Sequence, residues 1–316
     1  MNKKYIIGLS ILVVLIIGSF VLFSNKKENV VSNDRVKIVT SFYPLYFFTS
    51  QITGDKAIVS NITPAGAEPH EYEPTARDIA SIENSDLLIL NGGGLESWGE
   101  NIKTNLNGKN TNIVTAGEGL ITIENKEEEH EEDGHEGHHH VTDPHIWLSP
   151  ILAIQMVDKI ELGLSLKDPN NSSYYKANAE ILKNKLSTLD EEFKKGLVTC
   201  ESKNIITSHS AFAYLAQAYG LNQVSIAGLS SEEEPSSKEI TEIAKFAKIN
   251  NVKYIFFETL ISPKLSETIA KEIGAQTLVL NPIEGLTEDE ISNGKDYFSE
   301  MRSNLVNLKI ALQCTE

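Results

Sequence analysis

One long apolar stripe constrains this chain more than any other feature. In DPNNSSYYKANAEILKNKLSTLDEEFKKGL, the residues Leu182, Leu186, Leu189, Phe193 and Leu197 recur at steps of four, three, four and four. That spacing puts them all on one face of an α-helix. Asp168 is placed to cap the helix, and Pro169 to occupy its first turn, where a missing N–H costs nothing. The expected helix covers 168–198 with no internal breaker and reaches roughly 40 Å, enough to span two lobes. On either side of it, short β-rich runs alternate with helical stretches. Strands are expected at VKIVT (36–40), AIVSNI (57–62), LLILN (87–91) and NIVT (112–115), then at NIITS (204–208), 223–226, KYIFFE (253–258) and TLVL (277–280). Helical patterns lie between them, at Thr75–Asn84, Ser210–Tyr219 and Ser236–Ile249. Apolar strands alternating with helices imply parallel sheets covered on both faces. The expected fold is α/β: an N-terminal lobe (36–167) and a C-terminal lobe (199–316), each a parallel-sheet sandwich, joined by the linking helix. The cleft between them is the default ligand site.

The N-terminus directs the rest of the chain across a membrane. MNKK precedes the uncharged apolar run Tyr5–Phe23, long enough at about 1.5 Å per residue to cross a hydrocarbon core of about 30 Å. Lys3 and Lys4 favour a cytoplasmic N-terminus. No A-x-A cleavage pattern follows and no cysteine is available for lipid attachment, so residues 1–24 read as an uncleaved anchor rather than a cleaved signal. Residues 25–35 form a polar tether, and everything beyond lies on the extracytoplasmic face. A net charge of −16 disfavours nucleic acid, whose phosphates call for clustered Lys and Arg, and raises the local concentration of cations. The two cysteines, Cys200 and Cys314, stand in the exported part, where one disulfide pinning the C-terminal tail is expected; two unpaired thiols are the alternative.

The chain has eight histidines. His130, His135, His138, His139 and His140 sit in EEEHEEDGHEGHHH. That run has no apolar side chain to bury, so 124–141 is expected to be a mobile loop that collects metal weakly, or else a plain solvated one. The other three are isolated, each at a junction. His70 and His145 directly follow a proline, whose fixed φ narrows where the ring can aim. His209 ends the strand NIITS, and ligands of open α/β sheets collect beyond the carboxyl ends of strands. Three imidazoles and one acid would complete a tetrahedral zinc site. Their spacing carries no local chelate signature and leaves open whether they share one.

Several segments together do carry a signature. PAGAEPHEYEPTARDIASIENSDLLILNGGGLESW, DPHIWLSP, DPNNSSYYKANAEIL and SHSAFAYLAQAYGL resemble, in order and separation, the zinc/manganese substrate-binding proteins of ABC importers. The resemblance covers nearly the whole exported part. It implies two lobes joined by a backbone helix, a metal in the cleft, His70 and His145 from the N-terminal lobe and His209 from the C-terminal lobe. The family's fourth ligand, an acid after the final strand, falls on Glu284 in TLVLNPIEGLTEDE. Glu258, at the end of KYIFFE, is a competing acid that does not match the family position. Manganese-binding relatives typically carry an acid where His209 stands, so three histidines with one glutamate favour zinc. The acidic, histidine-rich insertion is typical of the zinc branch.

The resulting expectation is a monomeric, membrane-tethered zinc receptor that delivers Zn2+ to an ABC permease and performs no chemistry. Two alternatives are a receptor for manganese or another divalent metal and, from a different class, a zinc hydrolase with Glu284 as base. No HExxH helix supports the hydrolase, and no sequence feature singles out a third reading, a metal-binding adhesin.

Overall fold

The computed structural model describes residues 35–125, 141–230 and 235–315. The expected anchor, the tether apart from Arg35, and the five clustered histidines lie outside these residues. Among the described residues no helix is long and apolar enough to cross a membrane.

The first lobe runs β1 (Val36–Thr40), α1 (Tyr43–Thr53), β2 (Ala57–Asn61), α2 (Ala76–Glu83), β3 (Leu87–Leu90), α3 (Gly99–Leu106) and β4 (Asn112–Thr115). Its strands pair in parallel in the order β2-β1-β3-β4. β3, LLIL, is buried at every position, as a central strand covered on both faces requires. Two short strands follow, β5 (Glu124–Asn125) and β6 (Val141–Thr142), then α4 (Pro150–Lys167) and the long helix α5 (Ser172–Leu197). The second lobe continues with β7 (Asn204–Thr207), α6 (Ala213–Tyr219), β8 (Asn222–Ser225), α7 (Ser237–Ile249), β9 (Tyr254–Phe257), α8 (Lys264–Ile273) and β10 (Gln276–Val279). It closes with α9 (Glu288–Ser292) and α10 (Tyr297–Ala311). Its sheet, also parallel, has the order β10-β9-β7-β8, which from the other edge is the threading of the first.

Strand alternation divides the interior into layers. Ile38 and Ile205 face a central core shared by both lobes, where they join Phe48, Leu182, Leu186, Leu189, Phe193, Phe256 and Leu308. Val39, Leu88 and Leu90 face the opposite way, onto Ile82 of α2 and Ile102 and Leu106 of α3. Ile206 and Ile255 do the same in the second lobe, onto Ile243 of α7 and Ile269 of α8. The stripe of α5 is therefore the middle of a core that is continuous across both sheets.

Three expectations change at their edges. The long helix begins at Ser172, because 168–171 forms the corner that reverses the chain from α4 into α5. The backbone N–H of Asp168 closes α4 on the Leu164 carbonyl (2.8 Å). The Asp168 carboxylate accepts from Asn171 and from the Tyr175 hydroxyl, each at 2.7 Å, so this side chain ties the corner and caps neither helix. α6 starts at Ala213 rather than Ser210, since the N–H of Ser210 is drawn to the Gly228 carbonyl (2.7 Å). The edges of the expected 124–141 loop are not loop: Glu124–Asn125 and Val141–Thr142 pair as an antiparallel ladder. Cys200 and Cys314 are joined by a disulfide. It fastens the chain beyond α10 to the chain beyond α5.

Candidate metal centre

Four separated stretches of chain deliver side chains to one point between the lobes. His70 lies on the long connection from β2 to α2, behind Pro69. His145 stands between β6 and a tight 3-10 turn, Ile146–Leu148, which leads into α4. His209 follows β7, and Glu284 follows β10. Among the described residues, this is the cluster of His, Cys, Asp or Glu whose donor atoms converge, all within 4.8 Å of one another. The Nε2 atoms of His70 and His145 are 3.1 Å apart, and those of His145 and His209 are 3.4 Å apart. Glu284 Oε1 is 3.1 Å from His145 Nε2 and 3.4 Å from the Nε2 of both His70 and His209. A tetrahedron with metal–ligand bonds of about 2.0–2.1 Å has edges of about 3.3–3.4 Å. Five of the six separations among the four donor atoms match that figure within a few tenths of an ångström, and all four atoms lie within 4.8 Å of one another. His145, His209 and Glu284 are buried to 1% or less, while His70 keeps 9% of its side chain exposed. The approach from solvent is thus on the His70 side.

The second nitrogens are held by acids. His145 Nδ1 donates to Asp143 Oδ1 at 2.7 Å, and the same oxygen accepts the His145 backbone N–H at 2.9 Å. His209 Nδ1 donates to Glu258 at 2.6 Å, and Glu258 also accepts from the Ser208 hydroxyl. Both bonds leave Nε2 turned to the cluster, the usual device by which outer carboxylates fix a metal-binding imidazole. Glu258, a rival ligand in the sequence, is an orienting group in the structure. Asp143 is absent from the sequence expectations; its place two residues before His145 in TDPH is the signal that could point to it.

A further support reaches His145 from β3. Gly92, Gly93 and Gly94 adopt φ of 84°, 69° and 87° in succession, a left-handed run that a side chain would strain. It curls the chain so that the amides of Asn91 and Gly92 converge on buried Glu96, at 2.7 and 3.0 Å. Asn91 then donates its side-chain amide to the Pro144 carbonyl at 3.0 Å, the peptide immediately before His145.

Charge in the site is mutually adjusted. Burial alone would lower the histidine pKa values, but carboxylates outweigh it: Asp143 and then Glu284 raise His145, and Glu258 and Glu284 raise His209 well above its ordinary value. Glu284 suffers burial too, yet the charge of His209 and hydrogen bonds from the three imidazoles hold it well below the usual carboxylate range. Glu68, half-buried beside the Glu284 carboxylate, is pushed up to about 9 by its desolvation and by that neighbouring charge. Three imidazoles and one carboxylate form a donor set suited to zinc; manganese favours more oxygen.

Comparison with known proteins places this geometry. Residues 38–311 match the family model "ZnuA: Zinc-uptake complex component A periplasmic". The chain belongs to this family. It is 41% identical over 281 residues to the "High-affinity zinc uptake system protein ZnuA" of Bacillus subtilis, covering 88% of each chain. It is 37% identical over 321 residues to the "Zinc-binding protein AdcA" of Streptococcus pyogenes, which takes in 98% of this chain but 62% of AdcA. The chain thus spans less than two thirds of that relative's length. The Zn(II)-bound ZnuA-like domain of Streptococcus pneumoniae AdcA superposes with a TM-score of 0.74 at 38% identity, covering 88% of this chain and 99% of that domain. These relatives carry the names of zinc-binding and zinc-uptake proteins, not of hydrolases.

Proposed function

We propose that this chain is an extracytoplasmic receptor that captures Zn2+ through His70, His145, His209 and Glu284 and passes it to an ABC-type permease. The observation that carries the reading is the convergence of the three Nε2 atoms and Glu284 Oε1, with five of their six separations at 3.1–3.4 Å, near the edge of a zinc tetrahedron. The zinc-binding relatives support it. The ion is cargo: the four groups hold it and release it, and no bond in a substrate is made or broken. The three imidazoles favour zinc over manganese. The apolar run Tyr5–Phe23 tethers the receptor to the membrane that houses the permease, and the receptor works as a monomer.

Native mass spectrometry with metal competition, joined to calorimetry of residues 36–316, tests this. One tightly held zinc, not displaced by manganese, is expected. The His70→Ala, His145→Ala, His209→Ala triple variant loses tight binding, while deletion of 126–140 keeps it. The reverse pattern would assign the site to the clustered histidines instead.

A further inference from the structure

Ile283 has φ +57° and is fully buried. A β-branched side chain in the left-handed region crowds its own backbone and persists only where the surroundings impose it. Among the described residues, the other non-glycine positions with positive φ are Asn251 and Gln313, both exposed where a helix ends. Ile283 differs because it directly precedes Glu284.

What imposes the conformation is visible around Asn281. The Ile283 N–H donates to Asn281 Oδ1 at 2.8 Å. The N–H of Asn281 donates to Asn304 Oδ1 at 2.8 Å, and Asn304 Nδ2 donates back to the Asn281 carbonyl at 2.6 Å. Asn281 Nδ2 donates to Glu300 Oε2 at 3.1 Å, and the Lys295 ammonium lies 3.3 Å from Glu300 Oε1. The next peptide is caught from the other side, where the Trp147 indole N–H donates to the Pro282 carbonyl at 2.7 Å. Asn281, Asn304 and Glu300 are each buried to 3% or less, where an unmade hydrogen bond is costly. The Asn281 N–H and carbonyl are thus held by α10, the Pro282 carbonyl by the turn that carries His145, and the Ile283 N–H by the Asn281 side chain, which α10 anchors in turn.

We infer that Asn304, acting through Asn281 with Glu300, is a positioning residue that holds the strained turn at Ile283 and so aims the Glu284 carboxylate at the metal. This rests on Glu284 being a ligand. Released from the clamp, Ile283 would relax out of the left-handed region, and the peptide that sets the direction of Glu284 would turn with it. Asn304 makes its hydrogen bonds to Asn281 rather than to Glu284. Its loss should act only through the fourth ligand.

The test uses the full chain, zinc affinity by chelator competition, and Co2+ as a probe whose visible absorption is strong in four-coordinate sites and weak at higher coordination. Asn304→Ala is expected to weaken zinc binding by about 10- to 100-fold, the usual scale for loss of an outer support, and to move the Co2+ spectrum toward that of Glu284→Ala. In a Glu284→Ala background, Asn304→Ala should cost nothing further, because coupled residues are not additive. Leu308→Ala, on the same helix and fully buried, should lower the unfolding midpoint and leave zinc affinity and spectrum unchanged. If Asn304→Ala does not fold, Glu300→Gln, which keeps the shape, is expected to shift the spectrum the same way with a smaller loss. An unchanged Co2+ spectrum, or equal losses in both backgrounds, overturns the clamp. If Glu284→Ala itself binds zinc like the unmodified protein, the ligand assignment fails first.

Discussion

At the scale of single residues, the site divides into groups that meet the ion and groups that hold those groups still. Histidines that follow a proline or end a strand are visible in a sequence because few residue types bind zinc. The acids behind them are not, since an acid in a loop is common and only folding reveals what it faces. Glu258 shows the difference: its place at a strand end marks it as important, yet only the 2.6 Å bond from His209 Nδ1 shows in what role. Glu258→Gln should lower zinc affinity about 10- to 100-fold, measured at about pH 8.5 so that competition from protons on imidazole is reduced. An unchanged affinity there would leave Glu258 with only an electrostatic part. Protons themselves make a second prediction. His145 and His209 have raised values, so protons already compete with zinc at pH values above the ordinary imidazole value of about 6.5. Zinc-free protein gains stability from these two raised histidines below about 6.5, and loses it as pH rises through their folded-state values. Zinc affinity rises over the same interval. Melting temperatures recorded from about pH 6 to 9 should therefore diverge, falling without zinc and holding or rising with it. Parallel curves would contradict the assignment.

At the scale of elements, strands are legible in the sequence to within about a residue because apolar runs and their turn residues are local signals. Errors arose where a tertiary partner claims a backbone group, as Gly228 does with Ser210, or where a side chain ties a corner, as Asp168 does. The β5–β6 ladder is not legible in the sequence for the same reason: its fixing contacts are remote. The Tyr214 hydroxyl on α6 accepts the N–H groups of Thr122 at 2.8 Å and Ile123 at 3.0 Å, and the Asp143 N–H donates to the Ile123 carbonyl at 2.9 Å. The same hydroxyl thus serves a strand beside Asp143 and a helix that starts just beyond His209. Tyr214→Phe removes one acceptor from two amides. It should cost roughly 1–3 kcal/mol in urea unfolding, without exposing new apolar surface. A loss below about 0.5 kcal/mol would mean that water replaces the hydroxyl. With this base intact, joining Asn125 to Val141 by a short turn in place of 126–140 should leave the unfolding midpoint unchanged.

At the scale of the whole molecule, two parallel sheets suggest two independent lobes, and the packing denies that independence. Phe47 and Phe48 of α1 contact Tyr297 of α10 at ring-centroid distances of 5.8 and 5.0 Å, and Tyr297 donates to the Trp147 carbonyl at 2.6 Å. The central core runs through both sheets by way of α5, so unfolding should be a single cooperative transition. The Cys200–Cys314 disulfide closes a loop of sequence separation 114 and packs against that core. The chain-entropy relation gives it an upper contribution of about 4–5 kcal/mol. For a domain of this size that is on the order of 10 °C in melting temperature. The paired Cys200→Ser, Cys314→Ser variant should melt lower by up to that amount, in one transition. Zinc adds stability through its preference for the folded state, about 4 kcal/mol at a thousandfold excess over Kd, a quantity independent of how the unfolded chain is crosslinked. The free-energy gain on adding zinc should accordingly be equal with and without the disulfide. A smaller gain in the serine variant would mean that the crosslink also shapes the folded site, and that the end of α10 and the metal cluster are coupled through the shared core.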